Sequence, residues 1–176
     1  MARSDLAGTA GYSYCPSHSR WHRGLRLHLI CTPADLPITW ALAYAEIDER
    51  QMLMCLLDHD ADLLADRPGL LLLADKGYVP AELDDYLHAR GADLLRPSYR
   101  NRTPRPGQAL LAPIRQLIES VHEALRGQLA LELHGGRSLT GVTARIAQRL
   151  LALTPAIWRN RATGQPITRS LIAYDH

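Results

Sequence analysis

Residues 70–78 read LLLLADKGY, and this stretch decides the fold. Four consecutive leucines are too few for a membrane span, but a short apolar run with sharp ends is typical of a strand buried on both faces. The run ends at Asp75, followed by a glycine turn and a helical stretch that opens near Pro80. In an open α/β sheet, reacting groups gather at the carboxyl ends of strands. Asp75 therefore stands where a metal ligand or an acid–base group is expected.

Upstream of the leucines, the sequence predicts a β-hairpin and a helix. Residues 24–31 alternate polar and apolar side chains, residues 32–35 read as a turn, and residues 37–45 read as a second strand. A helix is predicted from Asp48 and Glu49 through about Leu64. The polar residues 1–20 have no clear period and are predicted to be an irregular lead-in.

Downstream, the pattern continues with alternating helices and strands. The predicted elements are a helix over residues 80–89 closed by Gly91, a strand over 92–96, a basic loop over 97–107, a helix over 110–133 that starts near 112, and a helix over 139–161. A hairpin followed by αβαβ and then by helices predicts an α/β fold with a mixed sheet flanked by helices.

The charges are distributed unevenly along the chain. Residues 1–95 contain 8 basic and 14 acidic side chains, a balance of −6, whereas residues 96–176 contain 12 arginines and 4 acids, a balance of +8. Mixed signs are usual on solvated helix faces, so this segregation favours a polyanion, such as nucleic acid, as the partner of the second half.

The cysteines and the hydropathy place the chain among reduced, internal proteins. Cys15, Cys31 and Cys55 form no CxxC pair and are odd in number, so they indicate neither a zinc site nor a disulfide framework. No run of about 20 apolar residues and no signal peptide is present, so we expect a soluble, cytoplasmic protein with no membrane contact.

The three tryptophans have two interpretations. Trp21, Trp40 and Trp158 are most simply core anchors. Trp21 also stands among basic residues, at positions 20, 22 and 23, and such a tryptophan can stack on an exposed base. His28 alternates with apolar strand residues and is expected to be a core or surface histidine instead of a metal ligand.

Three segments together resemble the insertion-sequence DDE transposases. They are residues 24–28, the strand that ends at Asp75, and the helix with the motif Arg115-x-x-x-Glu119. The resemblance covers nearly the whole chain. It implies an RNase H-like (retroviral-integrase-like) catalytic domain over residues 21–134, preceded by the lead-in of residues 1–20 and followed by a helical extension over residues 135–176.

The resemblance also implies the site residues. Asp75 matches the family's second catalytic Asp, and Glu119 matches the third acid, so both are expected to be catalytic and to bind Mg²⁺. Two Mg²⁺ ions about 3.5–4 Å apart activate the attacking oxygen and stabilise the leaving oxygen in such enzymes. Arg115 precedes Glu119 by four positions and Arg126 follows it by seven, as in the family, so both are expected to contact DNA phosphates.

The chain departs from the family pattern at its beginning. The family's first catalytic Asp lies on a central first strand, and no segment matches that strand, because Asp5 has no apolar strand around it. Many relatives carry a Tyr where this chain has Ala112. We therefore expect a truncated catalytic domain that lacks its first central strand, with activity reduced by several orders of magnitude, or a gene model started too late.

The implied function is DNA cleavage and strand transfer in the transposition of an insertion sequence. The implied partners are the DNA of the element ends and of the target, together with further copies of the chain in a homo-oligomer. The implied location is the bacterial cytoplasm and its nucleoid. Two alternatives stay open: a non-catalytic DNA-binding or dimerising remnant of a transposase, and an unrelated phosphotransferase or phosphatase that uses Asp75.

Overall fold

A computed structural model describes residues 5–8, 11–15, 20–75, 78, 81–98 and 106–166. The chain divides into two compact units. Unit 1 combines Met1–Glu46 with Gln116–His176, and unit 2 is the continuous stretch Ile47–Arg115 between them. Each unit has its own sheet and its own set of buried leucines.

The described residues form five strands and five α-helices. The strands are β1 (Gly11–Cys15), β2 (Arg20–Cys31), β3 (Pro37–Tyr44), β4 (Leu70–Leu73) and β5 (Ala92–Leu95). The α-helices are α1 (Glu49–His59), α2 (Asp62–Ala65), α3 (Ala81–His88), α4 (Leu111–Glu123) and α5 (Leu139–Ala162). The mixed α/β class predicted from the sequence is confirmed.

The strands of the described residues form two sheets, whereas the sequence predicts one mixed sheet. In unit 1, β1, β2 and β3 form an antiparallel sheet in that order, and in unit 2, β4 pairs with β5 in parallel. The prediction of a single sheet is thus wrong for the strands that the structure describes. Apolar periodicity identifies strands, but it does not say which strands pair.

The lead-in predicted to be irregular contains a short 3₁₀ helix, Asp5–Gly8, and strand β1. β1 pairs with Arg20–Gly24, the first part of β2, while Leu25–Cys31, the rest of β2, pairs with β3. Tyr12 and Tyr14 of β1 are exposed, so these tyrosines do not form a buried apolar face that the sequence pattern could reveal. The predicted hairpin of β2 and β3 is confirmed.

Unit 1 has a hydrophobic core of buried helical residues. Its fully buried members come from α4, from the turn that follows α4, and from α5: Val121, Ala124, Leu125, Val142, Ile146, Leu150, Leu153 and Ile157. The apolar face of β2, with Leu25, Leu27 and Leu29, packs against this cluster. The polar–apolar alternation read from the sequence therefore decides which face of the sheet meets the helices.

Two predicted helices are interrupted in the structure. The helix expected through Leu64 ends at His59, where Asp60 leaves helical geometry with φ −115° and ψ 63°, and α2 follows as a separate turn. The helix expected to reach Leu133 ends as α4 at Glu123 and continues as one π-helical turn, Ala124–Gln128. In this wide turn the Leu129 N–H donates to the Ala124 carbonyl, and both Ala124 and Leu125 are buried.

The terminal helix begins and ends close to the predicted residues. Ser138 caps α5 by accepting a hydrogen bond from the Gly141 N–H, as an N-cap serine does. Gly135, with φ +65°, supplies the left-handed turn before the cap. Pro155 lies inside α5. No helix in the described part of the chain is both long and apolar enough to cross a membrane.

The exposure of several apolar residues differs from the sequence prediction. Leu71 of β4 is 47% exposed, so this strand is not buried on both faces. β4 has one strand neighbour, and a two-stranded sheet with a helix packed on one face leaves part of its other face open. Trp21 and Trp158 are exposed, and only Trp40 packs against the core of unit 1, so two of the three predicted core anchors are wrong.

Candidate metal and nucleic-acid site

Asp75 follows β4 in a β–α–β arrangement within unit 2. The parallel register aligns Leu73 with Leu95, and the Ala74 N–H extends the ladder by donating to the Leu95 carbonyl at 3.1 Å. Asp75 therefore leaves the sheet at the carboxyl edge, where the sequence places it. Its side chain is exposed, and its carbonyl accepts a long hydrogen bond of 3.4 Å from the Tyr78 N–H.

An ion pair between a buried arginine and a half-buried aspartate lies at the same edge of the sheet. Arg96 directly follows β5, is only 4% exposed, and forms two hydrogen bonds with the Asp84 carboxylate on α3. One of them joins Nη2 to Oδ2 at 2.6 Å. This fork holds the first turn of α3 against the strand ends, because a guanidinium and a carboxylate match in two contacts. Since Asp84 neutralises it, we assign Arg96 a structural role.

The basic loop predicted over residues 97–107 begins and ends beside β5. The Ser98 N–H donates to the Gln108 side-chain carbonyl at 3.1 Å, and Gly107, with φ +80°, lies against Leu95. Residues 99–105 lie outside the described residues. Their sequence contains three arginines and no acid.

Helix α4 carries two of the predicted site residues. Arg115 and Glu119 lie one helical turn apart and are both exposed. Ile118 is also 41% exposed, whereas Val121 is buried in the core of unit 1. Helix α4 thus packs into the core through Val121 and exposes Arg115 and Glu119 to solvent.

Arg126 lies in the π-helical turn, not in a continuous α-helix. In a continuous α-helix, Arg126 would lie seven residues after Glu119 and on nearly the same face of the helix. The π-helical turn is wider than an α-helical turn, so it rotates Arg126 away from that face. Arg126 is 58% exposed and lies 3.5 Å from Glu132, a pairing that contributes well under about 1 kcal/mol at a solvated surface. A phosphate can replace so weak a partner.

The predicted residues belong to different units. Asp75 and Arg115 are in unit 2, and Glu119 and Arg126 are in unit 1, with the division falling inside α4. That Asp75 and Glu119 meet as ligands of the same magnesium ions stays a prediction. Among the described residues, no three His, Cys, Asp or Glu side chains form a group that could hold a metal ion.

Sequence reasoning missed the Arg96–Asp84 pair. The available signal was an arginine directly after an apolar strand, with an acid in the first turn of the preceding helix. In a β–α–β unit those two positions lie close together, so opposite charges there predict a fork.

Comparison with known proteins gives no assignment: no protein-family model, no curated protein and no solved structure matches this chain.

Proposed function

We propose that this chain carries the second and third acids of a DDE transposase of an insertion sequence. In this proposal, Asp75 and Glu119 bind Mg²⁺, and Arg115 and Arg126 contact the phosphates of the DNA. The reaction is hydrolysis of a strand at the element end, followed by attack of the freed 3′-hydroxyl on target DNA. Magnesium would supply activation of the attacking oxygen and stabilisation of the leaving oxygen.

The position of Asp75 carries the proposal. An exposed carboxylate directly beyond a parallel strand suits a hard cation that bridges protein and phosphate. The Arg–Glu pair on α4 has the spacing of the resembled family and is exposed, as a nucleic-acid contact requires.

The division of the strands into two sheets agrees with this proposal. In the RNase H-like fold, a central first strand lies between the hairpin and the β–α–β strands, and it contributes the first Asp. A chain with no match to that strand is expected to pair the hairpin and the β–α–β strands separately, as β2–β3 and β4–β5 do. Such a chain is expected to be strongly impaired in catalysis.

The proposed partners and location follow from the same resemblance. They are the DNA of the element ends and of the target, and further copies of the chain in a homo-oligomer, in the bacterial cytoplasm. The net balance of +8 over residues 96–176 supports a polyanionic partner.

The test begins with the DNA upstream of Met1 and around the locus. An in-frame stretch that encodes a strand with Asp-Ser or Asp-Thr, and inverted repeats that flank the locus, are the expected findings. The 176-residue chain and the extended chain are then compared in Mg²⁺-dependent joining of duplexes taken from those repeats. We expect joining by the extended chain and a loss of at least about 100-fold in its Asp75→Asn and Glu119→Gln variants.

Two matched variants control this experiment. Asp93→Asn removes an exposed carboxylate from the neighbouring strand, and Glu123→Gln removes one from the next turn of α4. Both are expected to join DNA as the parent does. If all four variants are equally active, or if the extended chain joins no DNA, the proposal is wrong; robust joining by the 176-residue chain would refute its impairment.

A second candidate is a non-catalytic DNA-binding or dimerising remnant, which would interfere with a full transposase. The observation that favours it is that three arginines of α5, Arg145, Arg159 and Arg161, are exposed. DNA binding that is unchanged by Asp75→Ala and Glu119→Ala, without any joining, would support this candidate. Phosphorylation of Asp75, detected by mass spectrometry, would support a phosphotransferase instead.

A further inference from the structure

An aromatic patch lies exposed on the β1–β2 pair. It consists of Tyr12, Tyr14 and Trp21, which are 64%, 45% and 71% exposed. Tyr14 lies opposite Trp21 in the register, with ring centroids 5.5 Å apart and planes tilted by 57°. Tyr12 lies two residues before Tyr14, on the same face of the strand. Three large rings thus share one solvent-facing surface.

Contact between the rings leaves most of this surface uncovered. The Tyr14–Trp21 pair is an ordinary cross-strand aromatic contact that helps to hold β1 on β2. That role needs only one edge of each ring, yet more than two thirds of Trp21 faces solvent. A contiguous exposed apolar patch of this kind is typical of a binding surface.

The charge around the patch selects the partner. Residues 9–34 contain no Asp or Glu, and they include Arg20, Arg23 and Arg26. In the register, Arg23 lies opposite Tyr12, and Arg20 lies next to Trp21 on β2. Glu46 lies against Gly11 at the start of β1. Exposed aromatic rings on a segment that carries arginines and no acid fit a polyanion with flat, unpaired rings of its own.

We propose that the aromatic patch binds single-stranded nucleic acid, with bases stacked on Trp21 and the tyrosines and with phosphates attracted by the net positive charge of residues 9–34. Stacking of this kind tolerates any sequence, because every base has a π-face. A duplex hides those faces between its own base pairs, so the patch discriminates against it. The inference is independent of the proposed function, since none of Asp75, Arg115, Glu119 or Arg126 belongs to the patch.

The experiment measures binding of the full chain to a labelled oligothymidylate of about 20 nucleotides by fluorescence anisotropy. Trp21→Leu keeps an apolar side chain but removes the stacking ring, and we expect binding to weaken roughly 5- to 150-fold. Trp21→Phe keeps a ring and is expected to retain most of the affinity. Trp158→Leu is the matched control, because Trp158 is a 67% exposed tryptophan on α5, outside the patch.

A second probe separates stacking from attraction by charge. An abasic strand of the same length offers the same phosphates without bases, and we expect it to bind the parent chain about as weakly as oligothymidylate binds Trp21→Leu. Equal weakening by Trp21→Leu and Trp158→Leu, or equal affinity for the abasic strand, would overturn the inference. The inference would also be overturned if the parent chain bound no strand but associated with itself, and if Trp21→Leu abolished that self-association. The Asp75→Asn variant, which is expected to lose DNA joining, should bind oligothymidylate and the abasic strand as the parent chain does. Failure of one proposal can therefore be told apart from failure of the other.

Discussion

At the scale of single residues, the chain depends on a few polar groups that have little access to water. The buried Arg96 forms a fork with the half-buried Asp84, and His28 is buried on β2 with its Nε2 atom unpaired. Such groups are costly when their partners are removed, and they respond to pH when they titrate. Both can be tested without reference to function.

Removing the Asp84 carboxylate leaves the Arg96 guanidinium buried without that partner. We expect Asp84→Ala to lower the free energy of unfolding by about 1–3 kcal/mol, because the buried guanidinium loses a charged hydrogen-bond partner. Urea denaturation measures this change. Asp85→Ala, which removes the exposed acid at the next position of α3, is expected to change the stability by less than about 0.5 kcal/mol. Equal losses would contradict a role for the fork.

His28 makes the stability of unit 1 depend on pH. Burial, and secondarily the nearby positive charge of Arg26, lowers the pKa of His28 below its usual value of 6.5. The unfolded chain therefore binds a proton at this residue before the folded chain does, and stability falls as the pH drops below about 6.5. Above that pH both states are neutral and the residue contributes no pH dependence.

Replacing His28 by leucine should remove this part of the acid sensitivity. We expect His28→Leu to lose less stability than the parent chain between pH 7.5 and about 5, as measured by thermal unfolding at each pH. His59→Leu, which removes an exposed histidine at the end of α1, should follow the parent profile. Parallel profiles for the parent and His28→Leu would sink the argument.

At the scale of elements, tight backbone contacts decide which substitutions are tolerated. A Cβ added to Gly136 would lie 2.8 Å from the backbone nitrogen of Val142 and 3.0 Å from its Cα. We expect Gly136→Ala to push the start of α5 away from its cap and to cost about 1–3 kcal/mol. Gly24→Ala on β2 is the control, because no heavy atom lies within 4 Å of the added methyl group. Chemical denaturation of both variants decides the matter.

The elements also mark how far sequence reasoning reaches. Alternation along β2 and the glycine at position 91 depend on local geometry, so the hairpin and the end of α3 could be predicted. The pairing of strands and the π-turn after α4 depend on which distant residues share a core, and no local pattern encodes them. The leucine run predicted a strand correctly but not its exposure, because burial is decided by the neighbours that a strand acquires.

The same division holds for the candidate site. Asp75 at the carboxyl edge of β4 follows from a local rule about strands, and the sequence predicted it. The fork of Arg96 with Asp84, and the open faces of Trp21 and Trp158, follow from tertiary packing. An isolated tryptophan in a sequence indicates burial by default, and only the structure identifies the exceptions.

At the scale of the whole molecule, segregated charge predicts salt-dependent DNA binding. The binding constant K falls as the salt concentration rises, and each phosphate contact makes the slope of log K against log salt steeper by about 0.9 for duplex DNA. We expect Arg126→Ala to weaken binding across sequences and to make that slope shallower by about 1. Arg67→Ala removes an exposed arginine from the acidic half and should leave the slope unchanged. Titrations at several salt concentrations measure both.

The insertion of unit 2 between the two parts of unit 1 has a consequence for synthesis. The hairpin of β2 and β3 is made early, but the residues of α5 that cover Leu25, Leu27 and Leu29 are added more than 90 residues after Glu46. At about 5–20 residues per second, these leucines wait roughly 5–25 s on the ribosome without their cover. Helix α5 is translated after the sheet that it covers, so a nascent-chain chaperone would find its target on the leucines of β2.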